Sequence, residues 1–290
     1  LEVAEPLVWM EALGYPNDPL WDQQWNMARI GVETGWQVGA GAGVHVAILD
    51  TGVSRVEDLE GIKLAEGMSF VSGVRSSQDD HGHGTHVAGT VAQATNNGRG
   101  VAGVAPGVTV VPYKVLSARG IGGSDRIAAA VDHAADQGVA VINLSLGGVH
   151  SRVLHKAVEE AAARGVIVVA AAGNTGRKGV SCPGHAEHVL GVSAVGPTDK
   201  KASYTSYGPG VDLAAPGGDL KLGKDAGVIQ DTIDGQGGHA YRPFQGTSMA
   251  APHVAGSAAV LRGMGVDART TTDVLLRSTV DLGSPGKAPV

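Results

Sequence analysis

The sequence predicts an α/β fold: a single domain with a mostly parallel central sheet covered by helices. Apolar, β-branched runs alternate with Ala-rich segments of helical period, the order that builds strand–helix–strand crossovers. Several of these runs are continuously apolar, as strands buried on both faces are. Hydrophobic residues make up 43% of the 290 residues but aromatics only 4%. The core must therefore be filled largely by Ala, Val, Leu and Ile.

The strand candidates are residues 44–50, 109–116, 139–146, 166–173 and 189–195. Between them, Ser124 can cap a helix that turns Ile127, Val131, Ala134 and Ala135 inward and stops at Gly138. Ser151 opens another, with Leu154, Ala157, Val158 and Ala161 inward and Gly165 at its end. Residues 246–263 read as a long buried helix after a glycine turn. Pro252 is tolerable only near the first turn of a helix, which puts the start near Ser248. Two stretches break the pattern. Residues 1–14 have no partner element, and the Gly- and Asp-rich stretch 217–243 reads as one long loop.

Bulk properties exclude several functions. The formal net charge is −6 with no long run of one sign, which argues against a nucleic-acid partner. No stretch of about 18 apolar residues exists to span a membrane. Cys182 is the single cysteine, so it has no internal disulfide partner. The 45 glycines suit tight turns and backbone kept bare for a ligand. Leu1 is not followed by a charged-then-apolar leader, so any signal segment is expected outside this chain.

Three polar residues sit where strands end or helices begin. Asp50 closes the apolar run Val46-Ala47-Ile48-Leu49 and precedes Thr51-Gly52, at the strand end beyond which open parallel sheets bind ligands. Alone, it reads more readily as a turn-forming Asp before Gly. His83 lies in His81-Gly82-His83-Gly84-Thr85-His86 at the head of a small-residue helix. A metal site rivals catalysis there, although the His-Glu-x-x-His arrangement of zinc proteases is missing. Ser248 lies in Gly246-Thr247-Ser248-Met249-Ala250, exposed at a helix N-terminus or acting as its cap. Together the three supply the nucleophile, base and orienting carboxylate of acyl transfer.

The strings Asp50-Thr51-Gly52, His83-Gly84-Thr85-His86-Val87-Ala88-Gly89 and Gly246-Thr247-Ser248-Met249-Ala250-Ala251-Pro252 resemble the three signatures of the subtilisin (subtilase) family, in its order Asp…His…Ser. The resemblance runs from about residue 15 to about residue 284 and is closest in feel to the thermitase-like branch. It implies a three-layer, subtilisin-like sandwich and a secreted serine endopeptidase, monomeric, acting on proteins or peptides. Asp50, His83 and Ser248 would be its triad and Asn174 an oxyanion donor. The stretch 143–148, with Ser145, Leu146 and Gly147, would pair with an extended substrate, and Gly120 and Gly122 would form the opposing edge. Ser145–Gly147 with residues 170–173, including Ala171 and Gly173, would line S1, small and uncharged, which implies large apolar P1 residues. Ser181 and Ser124 stand where many relatives carry Gly in S1 and an aromatic in S4.

The resemblance also implies a structural Ca²⁺. Its ligands would be the side chains of Asp18, Asp58 and Asn97 with the carbonyls of Ala94, Arg99 and Val101, an all-oxygen set suited to that ion. Four acids in the long loop, Asp219, Asp225, Asp231 and Asp234, could hold another cation, but their irregular spacing favours solvated turn carboxylates. Residues 1–14, with Val3-Ala4-Glu5-Pro6 similar to the end of an inhibitory propeptide, are expected to be a propeptide remnant or linker before a catalytic domain over 15–290. The ending Lys287-Ala288-Pro289-Val290 departs from the family pattern.

Three alternatives fit the residues less well. A catalytically silent binding module on this fold is disfavoured because every catalytic group is present. A lipase or esterase would need Gly-x-Ser-x-Gly, and Ala250 replaces the second glycine. A basic-site convertase would need acids lining S1 and S2, and the segments named above have none.

Overall fold

In the computed structural model, which describes residues 16–282, the alternating runs close around one eight-stranded sheet. After two short helices, α1 (Trp25–Ile30) and α2 (Val32–Gln37), come β1 (His45–Asp50), β2 (Lys63–Leu64), β3 (Met68–Ser69) and helix α3 (His83–Ala92). The chain continues through β4 (Thr109–Lys114), α4 (Ser124–Asp136), β5 (Val141–Leu144), α5 (Arg152–Ala163), β6 (Ile167–Ala171), β7 (Val189–Val195) and β8 (Leu213–Pro216). It ends with a hairpin of β9 (Val228–Ile233) and β10 (His239–Phe244), then α6 (Thr247–Gly263) and α7 (Ala268–Arg277).

The sheet order is β2-β4-β1-β5-β6-β7-β8, with β3 also paired to β4, and every pairing recorded within it is parallel. Alternate residues of each strand feed two cores. Val46 and Ile48 of β1 pack with Val87, Val91, Val254 and Ala258 of α3 and α6. Ala47 and Leu49 pack with Ile127, Val131, Leu154 and Val158 of α4 and α5. Burial on both faces explains the unbroken apolar runs. The described residues thus form one domain of three layers, as the resemblance implied.

The helix ends follow the expected chemistry with one shift. Ser151 caps α5, its Oγ accepting from the Leu154 N–H, and Gly138 and Gly165 follow their helices with φ of 71° and 85°. Ser124 is the first residue of α4 rather than its cap, which is Gly123.

The stretch 217–243 is not one loop. It holds two 3-10 turns and the antiparallel β9–β10 ribbon, which packs on α3. The Thr232 hydroxyl donates to the Gly82 carbonyl at the head of α3. The buried His86 ring stacks on Phe244 at 4.3 Å between centroids and 9° between planes, and its Nε2 bonds the Val228 and Arg242 carbonyls. Asp231, expected in solvent, is fully buried. The expectations for residues 1–14 and for the ending at 287–290 fall outside the described residues.

Candidate active site

From β1 the chain winds to β4 on one side and to β5 on the other. The sheet therefore changes direction around β1, and ligands of such sheets bind beyond the strand ends at that point. Asp50 is the last residue of β1 and is fully buried. Its Oδ1 accepts from the Thr51 backbone N–H at 2.7 Å and pairs with His83 Nδ1 at 2.7 Å, while its Oδ2 is buried without a partner.

His83 opens α3, whose first turn is drawn tightly against β1. A Cβ on Gly84 would collide with the Gly52 carbonyl oxygen, so only glycine permits this approach. Asp79 fixes the same turn: its carboxylate accepts from the backbone N–H groups of His81, Gly82 and Thr85 and from the Thr85 hydroxyl. Burial would raise the Asp79 pKa, but these bonds to the charged form outweigh it and lower it. At His83, burial alone would lower the pKa. The charge and hydrogen bond of Asp50 outweigh that and raise it. With Nδ1–H on Asp50, Nε2 is left as the acceptor.

Ser248 sits in the first turn of α6 after Gly246, whose φ of 151° suits glycine alone. Its hydroxyl donates to the Ser145 carbonyl at 3.1 Å rather than to His83. α6 begins at Thr247, within one residue of the expected start, and Pro252 stands six residues into it. It has no N–H to give to the Ser248 carbonyl four residues back, and the Ser145 hydroxyl donates there instead at 2.7 Å. Ser145 itself accepts from the Asn143 amide at 2.9 Å. The proline is tolerated because the residues following β5 satisfy the carbonyl it orphans, and this bond ties Ser248 to the end of β5. β1, which ends in Asp50, and β5, whose following residue Ser145 tethers the Ser248 turn, are adjacent strands of the sheet, and neighbouring strands lie about 4.8 Å apart.

Asn174 follows β6. Its Oδ1 accepts from both the backbone N–H and the hydroxyl of Thr247, at 2.9 and 3.0 Å. The amide is thereby oriented with Nδ2 as a donor beside the Ser248 turn. Leu146, Gly147, Ala171, Gly173, Asn174, Ser181 and Ser248 are among the residues lining one cavity of about 530 Å³. Ser181 stands between its walls, against Gly147 and Gly173. Gly120 and Gly122 lie on a separate exposed stretch after β4, with Gly120 facing the His81 ring.

Asp18 and Asp58 are both buried under the loop that carries Asn97. Asp18 accepts from the backbone N–H groups of Asn96 and Asn97. Asp58 accepts from the Asn97 side chain and the Val101 N–H, at 2.8 and 2.9 Å. Burial raises both carboxyl pKa values in spite of these bonds, and Asp231 and Asp18 add to the rise at Asp58. The Ala94 N–H donates to the Asp58 carbonyl. Arg99 reaches outward to Glu57 and Glu60.

Sequence reasoning missed Asp79, although an Asp just before a helix head is a recognisable capping signal. It also missed Lys114, which is fully buried at the end of β4 and donates to the Thr51 carbonyl and to Asp80. A lysine closing an apolar strand gives no local sign that it turns inward. The histidine cluster 81/83/86 does not gather on one ion: His86 is turned into the core, and burial pushes its pKa down to about 3.

A parallel α/β sheet with a buried Asp–His pair and a serine at a helix head defines the class of hydrolases that use an activated serine. The "Subtilase family" description matches residues 41–287. The chain is 42% identical to subtilisin BL of Lederbergia lenta over 82% of its length and 83% of that protein. It is 40% identical to thermitase of Thermoactinomyces vulgaris, covering 86% of each. Among solved structures it is similar to a protease from Pseudoalteromonas arctica, with a TM-score of 0.86, 34% identity, and 92% and 93% of the two chains covered. The chain belongs to the subtilase family and is a serine endopeptidase.

Proposed function

We propose that Ser248 is the nucleophile, His83 the general base and acid, and Asp50 the group that fixes the imidazole, in a broad-specificity endopeptidase. The Asp50–His83 bond at 2.7 Å, one strand away from the tethered Ser248 turn, carries this reading. Substrate arrives as an extended strand between residues 145–147 and the edge at Gly120 and Gly122, held by backbone hydrogen bonds. Ser248 Oγ rotates from the Ser145 carbonyl towards His83 Nε2, gives up its proton and attacks the scissile carbonyl. The oxyanion is met by Asn174 Nδ2 and by the Ser248 N–H, one of the N–H groups a first helical turn leaves without a helical partner. His83 then protonates the leaving amine, and water repeats the sequence on the acyl-enzyme.

The S1 walls at Ser145–Gly147 and at Ala171 and Gly173 are uncharged, so large apolar P1 residues are preferred, with Ser181 making the floor shallower. On a P1-varied peptide panel, Leu and Phe are expected to exceed Arg in kcat/KM, with all cleavage abolished by a fluorophosphonate. Strong preference for Arg would overturn the pocket assignment, and cleavage that survives the inhibitor would overturn the mechanism.

The Asp18–Asp58 site suits a structural Ca²⁺. Two buried carboxylates with Asp231 nearby concentrate negative charge that the loop N–H groups compensate only in part, and a hard cation would relieve it. Asp18, Asp58 and the Asn97 side chain, with the carbonyls of Ala94, Arg99 and Val101, would hold it and pin the loop to β9 through Asp58 and Asp231. EDTA is expected to lower the thermal midpoint of the inhibited enzyme by roughly 5 °C or more, and an unchanged midpoint would remove the ion from the account. The protein is further proposed to be secreted and monomeric, with residues 1–14 a propeptide remnant or linker that inhibits or is trimmed, and 15–290 the catalytic domain. Among the described residues no helix is long and apolar enough to cross a membrane.

A further inference from the structure

Away from the triad, the fold gathers three histidines that the proteolytic reaction does not use. His150 precedes the Ser151 cap of α5, His155 lies in the first turn of that helix, and His185 comes from the connection between β6 and β7. The His155 ring lies 4.4 Å from His150 and 4.6 Å from His185 between centroids, at 81° and 60° between planes. One ring nitrogen from each lies within 4.8 Å of the other two. Rings that merely cover one another on a surface would turn their nitrogens to water. Here the Nε2 of half-buried His155 is shut away from solvent with no hydrogen-bond partner, although a buried polar atom normally has one.

We propose that His150, His155 and His185 form a zinc-class transition-metal site, three imidazoles with a fourth position open to water. An all-imidazole set suits Zn²⁺, Cu²⁺ or Ni²⁺ rather than Ca²⁺ or Mg²⁺, so this site is chemically separate from the carboxylate site at Asp18 and Asp58. Zinc–nitrogen bonds of about 2.0–2.1 Å in a tetrahedron place the nitrogens roughly 3.3 Å apart. Rotation of the two exposed side chains, His150 and His185, closes the gap onto His155.

The position gives the ion a consequence. Gly148 and Cys182 exchange two backbone hydrogen bonds, at 3.0 and 3.1 Å, and His150 and His185 follow them by two and three residues in the chain, their rings 5.8 Å apart. Gly147, Gly148 and Ser181 line the cavity beside Ser248. A bound ion cross-links the two segments that form this wall. The site stands on its own geometry whether or not the cavity is S1.

The test uses the full chain carrying Ser248→Ala to prevent self-digestion, in calcium-containing buffer, titrated with Zn²⁺ by calorimetry and with Co²⁺ by its visible spectrum. One equivalent is expected to bind, with a tetrahedral Co²⁺ spectrum. The thermal midpoint should rise by about 5 °C at a zinc concentration on the order of 100 times Kd. His155→Gln, and separately the exposed pair His150→Asn with His185→Asn, should each weaken binding at least roughly tenfold, while Cys182→Ser leaves it unchanged. Should His155→Gln fold poorly, the exposed double variant decides alone. No binding at millimolar Zn²⁺ would overturn the site. So would binding that survives the double variant, which would place the ion at His81–His83, or binding lost only in Cys182→Ser.

Discussion

Replacing Ser248 by Ala is expected to lower kcat on a good peptide substrate by about 10⁶-fold, the scale known for the nucleophile of subtilisin itself. KM should change little if the peptide is held, as proposed, by the backbone edges at 145–147 and at Gly120 and Gly122, which need no hydroxyl. The fold should also be nearly untouched. The hydroxyl makes one hydrogen bond, to the Ser145 carbonyl, worth about 1 kcal/mol. The bond that anchors the turn is the one the Ser145 hydroxyl gives to the Ser248 backbone carbonyl, and alanine keeps that carbonyl. Adding His83→Ala should cost almost nothing more, because a base without its nucleophile has no proton to take. Steady-state kinetics on the two single variants and the double variant check this, with fluorophosphonate labelling expected to vanish in Ser248→Ala. Additive losses, or retained labelling, would remove Ser248 from the nucleophile's role.

The parts of this site that were legible in the sequence are those whose signal is local. β1 announces itself as an apolar run ending in Asp50, and the Ser248 turn as glycine followed by a small-residue helix. The β9–β10 ribbon was illegible because its inward residues are polar. Gln230, Asp231 and Thr232 are buried, and although His239 of β10 pairs with Asp231, the Ala102 carbonyl, the Asp58 N–H and the Gly82 carbonyl that also hold them are distant in sequence. A stretch that satisfies its polar groups through tertiary contacts has the composition of a loop. β2 and β3 are two residues each, too short for any period to show. The replacement for Pro252's lost hydrogen bond was equally hidden, since its donor, Ser145, lies 103 residues from Ser248.

Asp50→Asn is expected to lower kcat/KM by about 10⁴-fold, the scale known for the corresponding change in a serine protease of unrelated fold. The physical reason is tautomeric. Asp50 Oδ1 now accepts from both Thr51 N–H and His83 Nδ1. In the variant an amide oxygen at that place keeps both bonds but leaves the NH₂ at the buried, unpartnered Oδ2 position, whereas an NH₂ at that place faces the imidazole and the Thr51 N–H alike. An NH₂ facing Nδ1 makes that nitrogen the acceptor and puts the proton on Nε2, where it cannot take one from Ser248. The pH profile separates this role from a merely structural one. Asp50's charge and hydrogen bond raise the His83 pKa against its burial. The base works only when neutral, so kcat/KM rises as pH climbs through that pKa. Removing the charge lowers it, and the acid limb should move to lower pH while the plateau falls. A lower plateau with an unmoved limb would mean that Asp50 does not act on His83 electrostatically. A matching fall in thermal midpoint would assign the loss to folding.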